Sequence, residues 1–127
     1  MSKTTRKDAL NWFELYVTDF DRAKRFYETV LQTTLQEFKM DNAILGMFPY
    51  DNSQGVGGCI TKKDGQAPGQ GGTVVYLNVE GDLDGVLKRI PTAGGSVTVP
   101  RTSIGQHGFV AMLKDTEGNS VGLHSMV

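Results

Sequence analysis

NWFELYVTDFDRAKRFYETVL (residues 11–31) decides the fold, because its plan returns in TVVYLNVEGDLDGVLKRI (residues 73–90). In each stretch a short run of alternating polarity leads into a run with helical spacing. The far ends of the two halves also agree: Val56-Gly57-Gly58-Cys59 matches Val121-Gly122-Leu123-His124 at an offset of 65. Strand, helix and then glycine-spaced strands, twice over, describe an internal βαβββ duplication, and a repeat of this kind governs the whole architecture. Two copies of an open, curved sheet can jointly enclose a cavity, so the duplication is also the first functional observation.

Working outward, Trp12, Glu14 and Tyr16 alternate with Phe13, Leu15 and Val17, which is strand periodicity. Thr18 with Asp21 three residues later resembles a capping box. It opens a helix whose apolar face is Phe20, Ala23, Phe26, Tyr27, Val30 and Leu31. Strands are expected near 34–40, 43–48 and 56–61, with the breaker-rich KKDGQAPGQGG (62–72) as linker. In the second half a helix burying Leu83, Val86, Leu87 and Ile90 meets Pro91, which ends it. Gly94-Gly95 supplies a positive-φ exit, and strands follow at 96–102, 108–113 and 120–124. The expected class is α+β, with both helices outside the sheets. A flexible tail (1–9) precedes one domain (10–125), divided into module one (10–61), the linker and module two (73–125).

Composition narrows the function classes. A net charge of −1 over 127 residues offers no basic field for nucleic acid. No apolar run approaches the roughly 18 residues of a membrane span. The lone Cys59 cannot form an internal disulfide, which fits a reducing, cytoplasmic compartment. The polar start MSKTTRKDAL lacks the apolar stretch of a secretory signal. Phosphate-binding glycine loops, nucleophile elbows and paired metal-binding cysteines or histidines are not found in the sequence. The glycine clusters lack the strand–turn–helix setting of a dinucleotide site.

FELYVTDFDRAKRFYETVL, GTVVYLNVEGDLDGVL, AGGSV and DTEGNSVGL together resemble the vicinal oxygen chelate superfamily, which includes glyoxalases, extradiol dioxygenases and bleomycin-binding proteins. The resemblance covers roughly residues 10–125 and is nearest to the small, glyoxalase-related single-domain group. It implies two βαβββ modules whose curved mixed sheets form a half-closed barrel around a ligand site. It also implies a homodimer, formed through sheet edges or by module swapping. Such relatives carry a divalent metal on the first and fourth strands of each module. Those positions fall here on Trp12, Val74, Gly57 and Gly122, none of which offers a side-chain donor, so the expectation is a chain without the usual metal and without a cofactor. The resemblance further places Asn78 where glutathione-using relatives have a substrate-contacting amide, and Tyr16 where they have an arginine.

Side chains two residues apart on a strand share a face. That puts Glu14 and Tyr16, Tyr76 and Asn78, and Cys59 and His124 on the inward side. Glu14, Cys59 and His124 are ligand types, and a relocated three-ligand site on them stands against the plainer reading of Glu14 as pocket wall and Cys59 as apolar filler. An enclosed Glu14 is desolvated, which raises a carboxyl pKa and suits a general acid or base. Its structural counterpart is a hydrogen bond to Tyr76 or His124 that keeps the modules in register. His124 is a candidate proton carrier or a satisfied structural histidine. His107 sits in a glycine-flanked loop, either exposed or closing the cavity mouth. Trp12, Tyr16 and Tyr76 supply stacking area for a planar or apolar ligand. The glycines at 57 and 122 are expected to leave open volume.

Two functions survive. One is a metal-independent small-molecule-binding protein. The other is a lyase- or isomerase-type enzyme using Glu14 and His124 for proton transfer on a small carbonyl substrate.

Overall fold

A computed structural model describes residues 5–127 of the chain, so the start of the tail expected over residues 1–9 lies outside the described residues. Module one runs β1 (Trp12–Tyr16), α1 (Phe20–Leu31), β2 (Gln36–Met40), β3 (Ala43–Met47) and β4 (Gly57–Lys63). Module two runs β5 (Tyr76–Asn78), α2 (Leu83–Arg89), β6 (Ser96–Ser103), β7 (Phe109–Lys114) and β8 (Ser120–Ser125). The strand orders β1-β4-β3-β2 and β5-β8-β7-β6 are the same pattern, which is the duplication in three dimensions. In each module the first strand pairs in parallel with the last, and the other pairs are antiparallel. Even the strand exits match: Val17 donates to Thr61 O, and its repeat mate Val79 donates to His124 O, both at 3.0 Å. The two mixed sheets stay separate and unclosed.

Local chemistry explains where the elements stop. The cap of α1 is Asp19, not Thr18: its backbone is extended and its carboxylate accepts from Arg22 N at 3.0 Å. The amides of Thr18 and Asp19 both donate to Glu117 Oε1, at 2.9 and 2.7 Å, and fix the chain's entry into the helix. At the other end Gln32 adopts the left-handed conformation and its amide returns to Glu28 O. The second helix ends ahead of Pro91, as its missing N–H requires, and Gly94 follows at φ 102. Strand β5 is shorter than the run 73–79, since only Tyr76–Asn78 pair with β8. Gly71 and Gly72 both have positive φ, and Thr73 N turns back to Gly71 O, which pulls the preceding backbone off the extended path.

One hydrophobic cluster spans both modules. Leu15 and Ile60 from the first sheet meet Phe26, Tyr27 and Val30 of α1, and beyond them Val86 and Ile90 of α2 and Leu77, Val121 and Leu123 of the second sheet. Full burial of each such side chain stabilises by roughly 1.5–3 kcal/mol. The β7–β8 turn adds a polar seam between the modules. Tyr27 donates to Asp115 Oδ2 at 2.6 Å, Asn119 Nδ2 donates to Tyr16 O at 2.8 Å, and Glu117 binds Arg22. With the inner faces joined in this way, the alternate residues of every strand are left on two outward faces. Those faces carry the candidate site.

Candidate functional site

The parallel register between β1 and β4 sets Trp12 opposite Gly57, Glu14 opposite Cys59 and Tyr16 opposite Thr61. These side chains share the face of the first sheet that points away from the helices. In the second sheet Tyr76 stands opposite Gly122 and Asn78 opposite His124. The residues expected to face one way within each module therefore do so. In module two, however, Tyr76 rather than Val74 stands opposite Gly122, so Gly122 does not pair with the repeat mate of Trp12 as Gly57 pairs with Trp12.

Glu14 is solvent-exposed, which differs from the enclosed, desolvated carboxyl expected of it. The reason is topological: its sheet face is not covered by another element of the same chain. Tyr16 is half-buried, and Cys59 is fully buried with Sγ 3.2 Å from Thr61 Oγ1. Burial pushes the Cys59 thiol up, beyond what the contact with Thr61 lowers, which makes it a packing group rather than a nucleophile. Tyr76 and Asn78 are exposed, and Asn78 Oδ1 accepts from Glu80 N at 3.0 Å. His124 is half-buried with Nε2 2.7 Å from His107 O, so the loop of β6–β7 is fastened onto β8 at this point.

The volume expected above the two glycines is occupied. A Cβ at Gly57 would run into the ring of Tyr50, and one at Gly122 into the ring of Tyr76. Tyr50 in turn meets Trp12 edge to face, with ring centroids 6.0 Å apart. An aromatic side chain laid over a strand glycine replaces the packing that the glycine lacks. Phe13 does the same for its register partner Gly58 on the helix side. These positions do not fit the divalent metal that the resemblance implies: the four residues carry no donor, and tyrosine rings fill the space from which fourth-strand side chains would reach. The relocated set does not fit either. Glu14 and Cys59 are cross-strand neighbours, but His124 stands on the other sheet, and among the described residues no three His, Cys, Asp or Glu groups are placed to hold one ion.

Two hollows flank the module junction. The larger, about 650 Å³, is lined by Asn78 together with Phe13, Phe48, Tyr50 and neighbouring residues of both modules. The smaller, about 300 Å³, is lined by Glu14 and Tyr16 with the linker residues Gly69, Gln70 and Gly71 and with Ser120. Neither contains both Glu14 and His124. Sequence reasoning missed Tyr50, whose loop position has no periodicity to betray it, and missed the linker as a pocket wall. The glycines at 69 and 71 were the available signal for the second.

A family model described as the glyoxalase/bleomycin resistance protein/dioxygenase superfamily matches residues 9–123. Two mycobacterial proteins, from Mycobacterium bovis and Mycobacterium tuberculosis, carry a provisional glyoxylase name, CFP32. Each is 27% identical over 124 residues, covering 93% of this chain and 46% of the relative. The chain thus spans just under half the length of those relatives. Among solved structures, a glyoxylase/bleomycin resistance protein/dioxygenase domain from Frankia sp. matches with TM-score 0.69 at 20% identity, over 94% of this chain and 98% of the other. A mutant of glyoxalase I from Zea mays also matches with TM-score 0.69 at 20% identity, over 98% of this chain and 49% of that one. A glyoxalase-related enzyme from Fulvimarina pelagi matches with TM-score 0.64 at 16% identity, over 91% and 86%. At these identities the likeness is one of fold.

Proposed function

From the premise that this chain belongs to the glyoxalase/bleomycin resistance protein/dioxygenase superfamily, we propose that it is a metal-independent small-molecule-binding protein. The observation that carries this reading is the pair of tyrosine rings, Tyr50 on Gly57 and Tyr76 on Gly122, occupying the fourth-strand positions on the open faces. They convert places suited to a coordinating side chain into aromatic surface. With Trp12 edge to face against Tyr50, they favour a planar or apolar ligand held by stacking, worth about 0.5–1.5 kcal/mol per ring pair beyond burial. Glu14 supplies the one charge on β1 and orients the ligand by its polar end.

A homodimer completes the site. The open faces expose Phe38, Met40, Tyr76 and Val99, apolar surface that a second copy would cover. Nucleic acid is not a partner of a chain with a net charge of −1. The described residues include no helix long and apolar enough to cross a membrane. A cytoplasmic setting, in keeping with a single buried thiol, belongs to the same reading.

The alternative, a lyase- or isomerase-type enzyme, needs Glu14 and His124 to reach one carbonyl substrate. They stand on different sheets, and His124 already spends Nε2 on His107 O. Binding therefore has the stronger support. A panel of small metabolites screened by thermal shift, with and without nickel, zinc or manganese, tests the proposal. Saturable stabilisation by an organic ligand alone is expected. Elemental analysis finding close to one divalent ion per chain would overturn it.

A further inference from the structure

We propose that the larger cleft, on the helix side of the sheets where the modules meet, is a second binding site for a small organic cation with an aromatic or aliphatic body. Its volume of about 650 Å³ lies within the ~300–1,000 Å³ usual for ligand pockets. The floor is made by the edge of the core: half-buried Phe13 and buried Phe48 from the first module, and buried Leu77, Val79 and Val86 from the second. Phe13 and Leu77 alternate with Trp12 and Glu14, and with Tyr76 and Asn78, along their strands. The floor therefore faces away from the open face, although Tyr50 and Asn78 stand at the border between the two.

Charge selects the occupant. Asp51, Glu80 and Asp82 line the cleft, and no lysine, arginine or histidine does so among the described residues. Asp82 is ion-paired with Arg89, whereas Asp51 and Glu80 have no cationic partner among the described residues. Hydrogen bonds from Ser53 hold the Asp51 carboxyl below its ordinary range, so it is ionised at neutral pH. The same loop already draws a cation of the chain itself: Lys7 Nζ lies 2.8 Å from Gln54 O. An ammonium or amidinium at the rim would meet two uncompensated carboxylates, while its apolar body reached the rings of Phe13 and Tyr50. Desolvated cations are further attracted by such ring faces.

Benzyltrimethylammonium, titrated into the isotopically labelled full chain and followed by amide chemical shifts, is the test. We expect saturable binding at about millimolar affinity, reasonable for a fragment of this size. The largest shifts should fall at Phe13, Phe48, Tyr50, Leu77 and Val86, while Cys59 and His124 stay fixed. Phenylacetate, which keeps the ring and reverses the charge, should bind at least about tenfold more weakly. Combining Asp51→Asn with Glu80→Gln retains the oxygens that accept from Ser53 and Met126 and removes both charges. It should weaken the cation about tenfold without weakening phenylacetate. Should the double variant fail to fold, each single variant is expected to weaken the cation severalfold. Equal binding of the two probes, no saturable shift, or no effect of the charge-removing variants would overturn the cation site. Shifts centred on Glu14, Tyr16 and Tyr76 would overturn it too, while supporting the open-face site.

Discussion

Glu117, in the turn between β7 and β8, holds Arg22 of α1 with 2.7 Å between Oε2 and Nε, across ninety-five residues of sequence. The same carboxylate accepts from the amides of Thr18 and Asp19 and from the Thr116 hydroxyl, and its side chain is fully buried. One group therefore closes the entry to the first helix and ties module two to module one. Replacing it by Gln keeps the shape and some acceptors but loses the charge-assisted bonds. Because Arg22 is half-exposed and can turn to water, Glu117→Gln should cost about 3 kcal/mol, at the low end of the 3–5 of a wholly buried pair. The urea midpoint at neutral pH, at unchanged slope, measures this.

The same residue sets an acid limit. Burial on its own would raise the Glu117 carboxyl. The hydrogen bond from Arg22, the amide of Asp19, the Thr116 hydroxyl and the amide of Thr18 outweigh burial and bring it from 4.5 down to about 2. The folded value lies below the unfolded one, so the stabilisation is fully present above the unfolded value. It is lost as pH falls from about 4.5 toward 2. By linkage it is on the order of 3 kcal/mol. Urea midpoints taken from pH 7 to pH 3 should fall steeply in the native chain, and Glu117→Gln should flatten that slope.

Tyr27 adds an alkaline counterpart. Its hydroxyl donates to Asp115 in the buried seam, and burial first, then the Asp115 charge, raise the phenol well above its usual value. Of the four tyrosines, Tyr27 should stay un-ionised in an alkaline absorbance titration until the chain unfolds. Unfolded chains release that proton near the ordinary pKa of ~10, so stability must decline above it. Tyr27→Phe should remove the delayed step and cost about 1.5–3 kcal/mol, the value of a bond to a charged acceptor.

These residues also mark what could be read in advance. The alternation of 12–17 and the helical spacing of 20–31 were legible because each is a local pattern imposed by burial on one side. The duplication made module two legible from module one. Glu117 and Asn119 were not: DTEGN reads as a turn on composition, and the partners of these side chains are in another module. The cap is Asp19 rather than Thr18, its carboxylate accepting from Arg22 N, while Glu117 holds the amides of both residues from the other module. In the site, the shared faces of Glu14 with Cys59 and Asn78 with His124 followed from strand period alone. The tyrosine over each glycine did not. Gly57 and Gly122 looked like space, and only the loop path of Tyr50 and the register of Tyr76 reveal that they are covered.

Assembly is the next expectation. Strand β2 is exposed along its whole length, with Phe38 and Met40 roughly 60% accessible, at 59% and 60%. Apolar side chains on an unpaired edge favour association unless charge blunts it. Light scattering at micromolar concentration should give twice the chain mass of 13.8 kDa. Phe38→Lys should shift the equilibrium toward a single chain if this edge takes part. A native mass of one chain would refute the homodimer.

Glu14→Gln separates binding from catalysis. The carboxylate is exposed beside Cys59 on the open face, so the amide fits without loss of packing. A protein that uses Glu14 to orient a ligand loses one charge-assisted contact, about 1.5–3 kcal/mol at most and less where water screens it. A protein that uses it to move a proton loses about 10²–10⁴-fold in rate, because an amide is neither a useful base nor a useful acid near neutral pH. With a ligand from the thermal-shift panel in hand, the expected result is a modest rise in Kd with an unchanged ligand spectrum before and after incubation. Turnover of that ligand by the native chain, abolished in Glu14→Gln and also in His124→Gln, would replace the binding protein with the enzyme. Loss in only one of the two would leave the residues without a shared reaction, in keeping with their places on separate sheets.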